Sequence, residues 1–152
     1  NSERIKKLNE NATLPSYGSA CAAGADLYSC EEELTFLPGE TKLVHTGIAM
    51  EIPEGYAGLI YARSGLASKK GLAPANKVGV IDSDYRGEIM VALYNHSDQT
   101  REVEKGERVA LFAPSGYGKT TLGEVVCREH QPLGEGLLVV LLVNGLPSYN
   151  NW

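Results

Sequence analysis

Residues 41–62 read TKLVHTGIAMEIPEGYAGLIYA, and their pattern predicts the fold class. Short apolar runs rich in β-branched and aromatic side chains alternate with turn signals such as Ile52-Pro53-Glu54-Gly55. The same punctuation occurs on both sides, at Leu37-Pro38-Gly39-Glu40 and at Lys105-Gly106-Glu107. Strands that are this short and this regularly separated favour an all-β fold, a barrel or a jelly roll, over residues 25–113.

One helical turn interrupts the predicted strands. Residues 64–71 begin with Ser64, which can cap a short helix, and end at a glycine. Residues 79–87 are predicted to form a strand that enters a tight hairpin. The predicted strands are residues 25–29, 32–36, 41–52, 58–62, 78–81, 88–95, 100–103 and 108–113.

The composition indicates one globular domain that binds neither nucleic acid nor membranes. The chain has 152 residues, 43% of them hydrophobic, which is enough for a single core. Nineteen acidic and fourteen basic residues give a net charge of −5 and no basic face for a nucleic-acid backbone. The longest apolar run, residues 137–143, is far shorter than the roughly 20 residues of a membrane-spanning helix.

The cysteines and the first residues of the sequence predict a cytoplasmic protein. Cys21, Cys30 and Cys127 are odd in number and lack metal-ligand spacing, which favours a reducing compartment. The opening residues, NSERIKK, are polar, and no apolar signal region follows them.

The segment GVIDSDYRG at residues 79–87 carries the most distinctive chemistry. Asp82 and Asp84 are two residues apart and share side-chain parity, whereas Tyr85 points the other way. A hairpin with solvated acids would give the same pattern. Three other segments flank it in order: AGADLYS at residues 23–29, ARSGL at 62–66 and GERVA at 106–110.

Together these segments resemble four of the five ordered motifs of the trimeric deoxyuridine triphosphate nucleotidohydrolases, the dUTPases. The resemblance implies a distorted jelly-roll β subunit over residues 1–113, with residues 114–152 as a divergent C-terminal segment. It also implies a homotrimer with active sites between subunits. The implied reaction is hydrolysis of dUTP to dUMP and pyrophosphate, assisted by Mg²⁺.

The resemblance implies roles around the nucleoside. Asp82 matches the general base that activates the attacking water, and Tyr85 matches the platform under the deoxyribose, where a 2′-hydroxyl would clash. Asn76 matches the amide that reads the uracil edge, together with backbone groups near Gly79 and Ile81. In this interpretation Met90 packs on the base. The alternative for Asn76 is that it only holds a turn.

A second set of residues matches the phosphate side. Asp26 corresponds to the acid that holds magnesium through water, since Mg²⁺ prefers oxygen ligands and keeps its waters. Arg63 offers charge, Ser64 a hydroxyl and Gly65 a backbone amide to the phosphates. The alternatives are an exposed turn acid at position 26 and a capped helical turn at 63–65.

The C-terminal third departs from the family pattern. The fourth motif continues with Gln-Leu in the family, but here Ala110 is followed by Leu111 and Phe112. Residues 133–142, LGEGLLVVLL, replace the closing motif Arg-Gly-x-Gly-Gly-Phe-Gly-Ser-Thr-Gly. A shifted reading frame accounts for part of this, because codons for Phe-Gly-Ser-Thr read one base later encode Leu-Val-Val-Leu. The alternative function is a catalytically impaired, nucleotide-binding relative.

A third interpretation concerns residues 113–120, APSGYGKT, which satisfy a relaxed phosphate-loop pattern for binding ATP or GTP. An apolar strand precedes the pattern and a possible helix follows it. Only about thirty residues remain after it, too few for the several strand-helix units of a complete domain of that type. The phosphate loop is therefore a weaker alternative than the dUTPase interpretation.

Overall fold

The computed structural model describes residues 5–116, and these residues form an all-β fold with one short helix. The predicted fold class is confirmed. The strands are β1 (Ile5–Lys7), β2 (Ser16–Tyr17), β3 (Ala25–Tyr28), β4 (Leu34–Phe36), β5 (Thr41–His45), β6 (Ile48–Met50), β7 (Tyr56–Tyr61), β8 (Leu72–Pro74), β9 (Gly79–Ile81), β10 (Met90–Asn95), β11 (Arg101–Val103) and β12 (Arg108–Gly116), and the helix is α1 (Ser64–Lys70).

Antiparallel pairing arranges these strands in four sheets. The largest has the order β2-β3-β12-β7-β9, and a three-stranded sheet has the order β5-β10-β8. The pairs β1-β6 and β4-β11 complete the arrangement. Strands that are distant in sequence pair side by side, as expected of a jelly-roll-type fold.

One hydrophobic core joins the four sheets. β10 shows the alternation that builds it, since Val91 and Leu93 are buried whereas Ala92 and Tyr94 are half-buried. Each large apolar side chain in this core contributes about 1.5–3 kcal/mol of burial free energy. Fully buried core residues come from every sheet and include Leu27, Phe36, Val44, Ile48, Leu72, Ile89, Leu93, Val103 and Val109.

The strand predicted at residues 41–52 is in fact two strands. It breaks at Thr46 and Gly47, because Gly47 has a φ of 67°, a left-handed conformation that ends the extended run. A Cβ at this position would lie 2.8 Å from the Cβ of Ala12, so glycine is required for space as well. The break creates a corner between β5 and β6.

The prediction that Ser64 caps the helix is wrong by one residue. Arg63 is the N-cap, with extended φ and ψ angles and no side-chain capping bond, and Ser64 is the first helical residue. The Ser64 carbonyl instead accepts a hydrogen bond from Ser68 Oγ at 2.7 Å. The predicted end is right, since Gly71 closes the helix with a φ of 68°.

The hairpin predicted at residues 79–87 is also wrong. β9 pairs with β7 in the five-stranded sheet, whereas β10 lies in the three-stranded sheet. Residues 82–89 therefore cross from one sheet to the other. They begin with a turn in which the Tyr85 amide donates to the Asp82 carbonyl at 3.1 Å.

β12 continues to Gly116, three residues beyond the predicted strand end at Ala113. In the part of the chain that the structure describes, no helix is long and apolar enough to span a membrane. The predictions for residues 117–152, including the closing segment and the second half of the phosphate-loop pattern, lie outside the described residues.

Candidate active site

The residues predicted to read uracil lie on β9 and on the turn before it. Gly79 and Ile81 are two residues apart, so their backbone groups point to the same edge of the strand. The Nδ2 atom of Asn76 lies 3.4 Å from where a Cβ of Gly79 would be. The structure therefore brings Asn76 and Gly79 together, with Ile81 one pleat further along.

The turn that carries Asn76 is held by backbone atoms. The Lys77 amide donates to the Pro74 carbonyl at 3.1 Å, and the Val78 amide donates to the Asn76 carbonyl at 2.8 Å. Lys77 takes the strained left-handed conformation with a φ of 68°. The backbone carbonyl of Asn76 thus stabilises the turn, while the side-chain amide of Asn76 lies beside Gly79.

Met90 lies on the neighbouring sheet at the start of β10, where it is half-buried and pairs with His45. A hydrogen bond of 2.8 Å from the Ala75 amide to the Ala92 carbonyl joins the turn before β9 to the same strand. Met90, the residue predicted to pack on the base, therefore lies on β10, the strand to which the turn that contains Asn76 is hydrogen-bonded.

Asp82 is exposed and follows β9 directly. The nearby Arg86 does not neutralise it, because the Arg86 guanidinium donates to two backbone carbonyls, those of Ser83 at 2.5 Å and Tyr85 at 3.1 Å. Arg86 therefore holds the turn and leaves the Asp82 carboxylate facing solvent.

Tyr85 has a defined position although its side chain is 39% exposed. Its hydroxyl donates to the Glu88 carbonyl at 2.7 Å. A Cβ at Gly87 would lie 2.7 Å from Tyr85 Oη and 2.8 Å from Cζ, so the ring covers the backbone at Gly87. Only glycine at position 87 permits this placement.

The phosphate-side residues lie where β7 leads into the helix. Arg63 folds back over Gly65, since a Cβ at Gly65 would be 3.5 Å from Arg63 Nη1. Ser64 is exposed at the first helical position. Arg63, Ser64 and Gly65 thus form the junction between β7 and the helix.

Asp26 is a buried strand residue, and the alternative that it is an exposed turn acid is wrong. It lies in β3 with 5% exposure, and its Oδ2 atom is 3.6 Å from Arg108 Nη1. The sequence does not predict this ion pair, although Arg108 belongs to the fourth motif. Leu111 separates Asp26 from Tyr61 in the sheet.

A metal at this point would have one protein carboxylate. Within residues 5–116, no three His, Cys, Asp or Glu side chains converge to hold an ion. A single carboxylate suits Mg²⁺, which keeps several waters and takes its remaining ligands from substrate phosphates. A carboxylate is thus the right type of donor for magnesium held through water, although Asp26 Oδ2 already faces Arg108 Nη1 and the residue is 5% exposed.

Asp82 and Arg63 leave the sheet at opposite ends, whereas Asn76, which precedes β9, lies at the same end as Arg63. β7 and β9 are antiparallel, with Gly58 opposite Ile81 and Ile60 opposite Gly79. Asp82 follows the end of β9 and Arg63 the end of β7, so they are roughly 15–20 Å apart along the strands at about 3.3 Å per residue. Asp26 is three strand spacings from β9, about 14 Å across the sheet. One chain therefore does not bring Asp82 close to Arg63 or to Asp26.

A cleft of about 590 Å³ lies elsewhere, beside the turn between β11 and β12. It contains none of the predicted site residues. Lys70 spans part of it and contacts Glu107 Oε1 at 3.1 Å and the Glu102 carbonyl at 3.2 Å. Its charges are mixed, so it does not resemble a nucleotide pocket.

The sequence and fold of this chain are similar to those of known proteins. A family model described as dUTPase matches residues 10–131. The chain belongs to the dUTPase family. Membership of the dUTPase family accounts for the order of the four motifs and for the β architecture that carries them.

Named relatives and a solved structure agree with that assignment. The deoxyuridine 5′-triphosphate nucleotidohydrolase of Hydrogenobaculum sp. is 52% identical over 106 residues, 70% of this chain and 74% of the relative. The Syntrophotalea carbinolica protein of the same name is 45% identical over 134 residues, 88% and 91% of the two chains. A variant dUTPase from phage phi11 of S. aureus, described with a structural Mg(II) ion, has a TM-score of 0.69 and 27% identity, over 78% of this chain and 93% of that one.

The dUTPase fold also bears on the phosphate-loop alternative. Residues 113–116, the first half of that pattern, lie in β12 and pair with β7 from Leu59 to Tyr56. A phosphate loop needs these residues in a turn whose amides face the ligand. Residues 113–116, the described part of the pattern, form a strand instead of such a turn.

Proposed function

We propose that this chain hydrolyses dUTP to dUMP and pyrophosphate, with Asp82 as the base that activates water. The observation that carries the proposal is the juxtaposition at β9. The Asn76 amide lies on the sheet face beside Gly79, the first residue of β9, which is an edge strand of its sheet in the described residues, and Asp82 is the next residue after the strand. A uracil read at that edge would bring its α-phosphate toward Asp82.

Uracil recognition uses both a side chain and the backbone. The Asn76 amide donates through nitrogen and accepts through oxygen, which suits a base edge that alternates acceptor and donor groups. The backbone groups of Gly79 and Ile81 point the same way and complete the pattern. Met90 packs against the base from the neighbouring sheet, and Tyr85 supports the deoxyribose.

In the chemical step, the Asp82 carboxylate accepts a proton from the water that attacks the α-phosphorus. The bond from phosphorus to the bridging oxygen breaks, and pyrophosphate departs without a covalent enzyme intermediate. Arg63, Ser64 and Gly65 bind and orient the phosphates. Mg²⁺, when bound near Asp26 through water, supplies charge neutralisation on the triphosphate.

The proposed assembly is a homotrimer whose sites lie between subunits. Its support is the separation of roughly 15–20 Å between Asp82 and Arg63 within one chain. A site between subunits would bring the Asp82 and Arg63 side chains nearer to one triphosphate than the strands of one chain place them. Asp82 of one subunit and Arg63 of another would form one site.

The second candidate function is that of a catalytically impaired, nucleotide-binding relative of the family. Leu111 is the residue that favours it. The family places a phosphate-binding Gln after the alanine of the fourth motif, and here Leu111 takes that strand position between Asp26 and Tyr61. An apolar side chain supplies no hydrogen bond to phosphate. In this version the β domain, residues 1–113, binds the nucleotide and the divergent segment 114–152 does not close the site.

Pyrophosphate release from dUTP with Mg²⁺ tests the proposal. Wild-type protein should release pyrophosphate, and Asp82→Asn should lower kcat about 100-fold or more, as expected when a general base is lost. Nucleotide that binds without turnover would support the impaired relative. Release that survives Asp82→Asn would refute the assigned base.

A further inference from the structure

Glu88 and Ile89, the last two residues of the crossing segment 82–89, form hydrogen bonds to residues 45–48 at the corner between β5 and β6. Glu88 contributes its side chain and Ile89 its backbone. The four contacts are His45 Nδ1 to Glu88 Oε1 at 2.8 Å, Thr46 Oγ1 to the Ile89 carbonyl at 2.5 Å, the Gly47 amide to Glu88 Oε2 at 2.9 Å and the Ile89 amide to the Ile48 carbonyl at 2.8 Å.

Glu88 supplies half of this attachment. Both of its carboxylate oxygens are engaged, and its side chain is 23% exposed. Hydrogen bonds to an ionised carboxylate are shorter and stronger than neutral ones. Glu88 therefore determines where the crossing segment enters the second sheet.

The same residue holds Tyr85. Its backbone carbonyl accepts the hydrogen bond from Tyr85 Oη at 2.7 Å, and the intervening Gly87 lets the ring lie against the backbone. Movement of Glu88 would therefore move the Tyr85 ring. The corner between β5 and β6 is connected to the proposed sugar platform through one residue.

We propose that Glu88, anchored by His45 and Gly47, is a positioning residue that sets the selectivity of the site for deoxyribose over ribose. The inference rests on the proposed role of Tyr85 in the dUTPase reaction. A ring that excludes a 2′-hydroxyl must be held to within a fraction of an ångström, and neighbouring packing and hydrogen bonds supply that rigidity.

His45 is placed to act as the cationic partner of Glu88. Two carboxylates face it, since Glu88 contacts its ring and Glu31 Oε2 accepts from its backbone amide at 3.1 Å. The hydrogen bond that His45 donates to Glu88 raises the pKa of His45, the charges of Glu88 and Glu31 add to this, and partial burial opposes it. A charged His45 therefore strengthens the anchor.

The test measures binding of dUMP and UMP to the full chain by calorimetry and compares their dissociation constants. In Glu88→Ala the preference for dUMP should fall about tenfold, equivalent to ~1.4 kcal/mol. Glu88→Gln should keep the preference within about twofold above the pKa of His45, because an amide can accept from Gly47 and donate to a neutral imidazole.

Two further variants complete the experiment. Glu32→Ala is the matched control, since it removes an exposed glutamate paired with Lys105 at 3.2 Å, and it should leave the preference unchanged. Tyr85→Ala should abolish the preference. The ratio of the two constants does not depend on the folded fraction of the sample, so a loss of stability alone would not alter it.

The outcomes separate the inference from the proposed function. If Tyr85→Ala lowers the preference and Glu88→Ala does not, the role of Glu88 is overturned and the platform stands. If Tyr85→Ala leaves the preference unchanged, the platform itself is refuted, and the Glu88 role is refuted with it. A parallel loss of affinity for both nucleotides in Glu88→Ala also contradicts the inference.

Discussion

At the scale of single residues, the position of Tyr85 depends on the absence of a side chain at its neighbour. The Tyr85 ring lies against Gly87, and its hydroxyl is held by the Glu88 carbonyl. A glycine with an unstrained φ is thus required for space rather than for conformation. This makes the position a sensitive probe of the sugar platform.

Gly87→Ala should reduce kcat/KM for dUTP about tenfold, because the added Cβ would displace the Tyr85 ring by more than a few tenths of an ångström. Steady-state kinetics with dUTP and UTP would measure the effect, and discrimination against UTP should fall as well. Ser83→Ala, in the same turn, serves as the control. Unchanged kinetics in Gly87→Ala would show that Tyr85 does not contact the sugar.

The His45 and Glu88 pair predicts a pH-dependent contribution to stability. Glu88 raises the pKa of His45 above its ordinary 6.5, so the folded state holds this proton more tightly than the unfolded state. The stabilisation is therefore fully present below pH 6.5 and is lost as pH rises through the raised pKa. The His45 side chain is 43% exposed, so solvent screens the effect.

Urea unfolding of wild type and His45→Gln at about pH 5.5 and about pH 8.5 would measure this contribution. The difference in unfolding free energy should be larger at the lower pH. A difference that grows with pH would have the opposite sign and would contradict the assigned pairing.

At the scale of secondary-structure elements, the sequence predicts that strands exist better than it predicts their partners. Turn signals locate most strands within one or two residues. They do not show that β9 joins β7 and leaves β10 to another sheet, because partner choice depends on contacts between distant residues. The three missed strands, β1, β2 and β8, are two or three residues long and lack a periodic signal.

The candidate site shows the same contrast between local features, which the sequence predicts, and long-range contacts, which it does not. The motifs identify Asn76, Asp82 and Tyr85 by type and spacing, since their chemistry is local. The burial of Asp26 follows from strand neighbours on both sides, and the Glu88 contact joins residues 43 positions apart. No local pattern in one sequence encodes such pairs.

β12 contains a buried hydroxyl group whose effect on stability can be measured. Ser115 is 3% exposed, and its hydroxyl has no hydrogen-bond partner among the residues that the structure describes. Leaving a buried polar group unsatisfied costs about 1–3 kcal/mol. Ser115→Ala should therefore raise the free energy of unfolding by about 1 kcal/mol, measured by chemical denaturation.

Ser29→Ala provides the matched comparison. Ser29 is equally buried, but its hydroxyl accepts a hydrogen bond from the Glu31 amide at 3.3 Å. Removing it should lower stability, because a partner is left unpaired. If both variants change stability in the same direction, the Ser115 hydroxyl has a partner after all.

At the scale of the whole molecule, the proposed active site is divided between the two ends of one strand pair. Asp82 follows the end of β9 and Arg63 follows the end of β7, which places them roughly 15–20 Å apart along the strands. Four of the five family motifs are present in this sequence, but Asp82 and Arg63 do not converge within residues 5–116. A site shared between subunits, as proposed above, would bring them together.

Complementation between two variants tests this account most directly. Asp82→Asn and Arg63→Ala are co-expressed, the mixed oligomers are purified through two different tags, and pyrophosphate release from dUTP is measured. Each variant alone should be nearly inactive. The purified mixed trimers should show about one third of wild-type activity, because one of the three sites in each takes both intact residues from different chains. Mixed oligomers that stay as inactive as the separate variants would contradict a site shared between subunits.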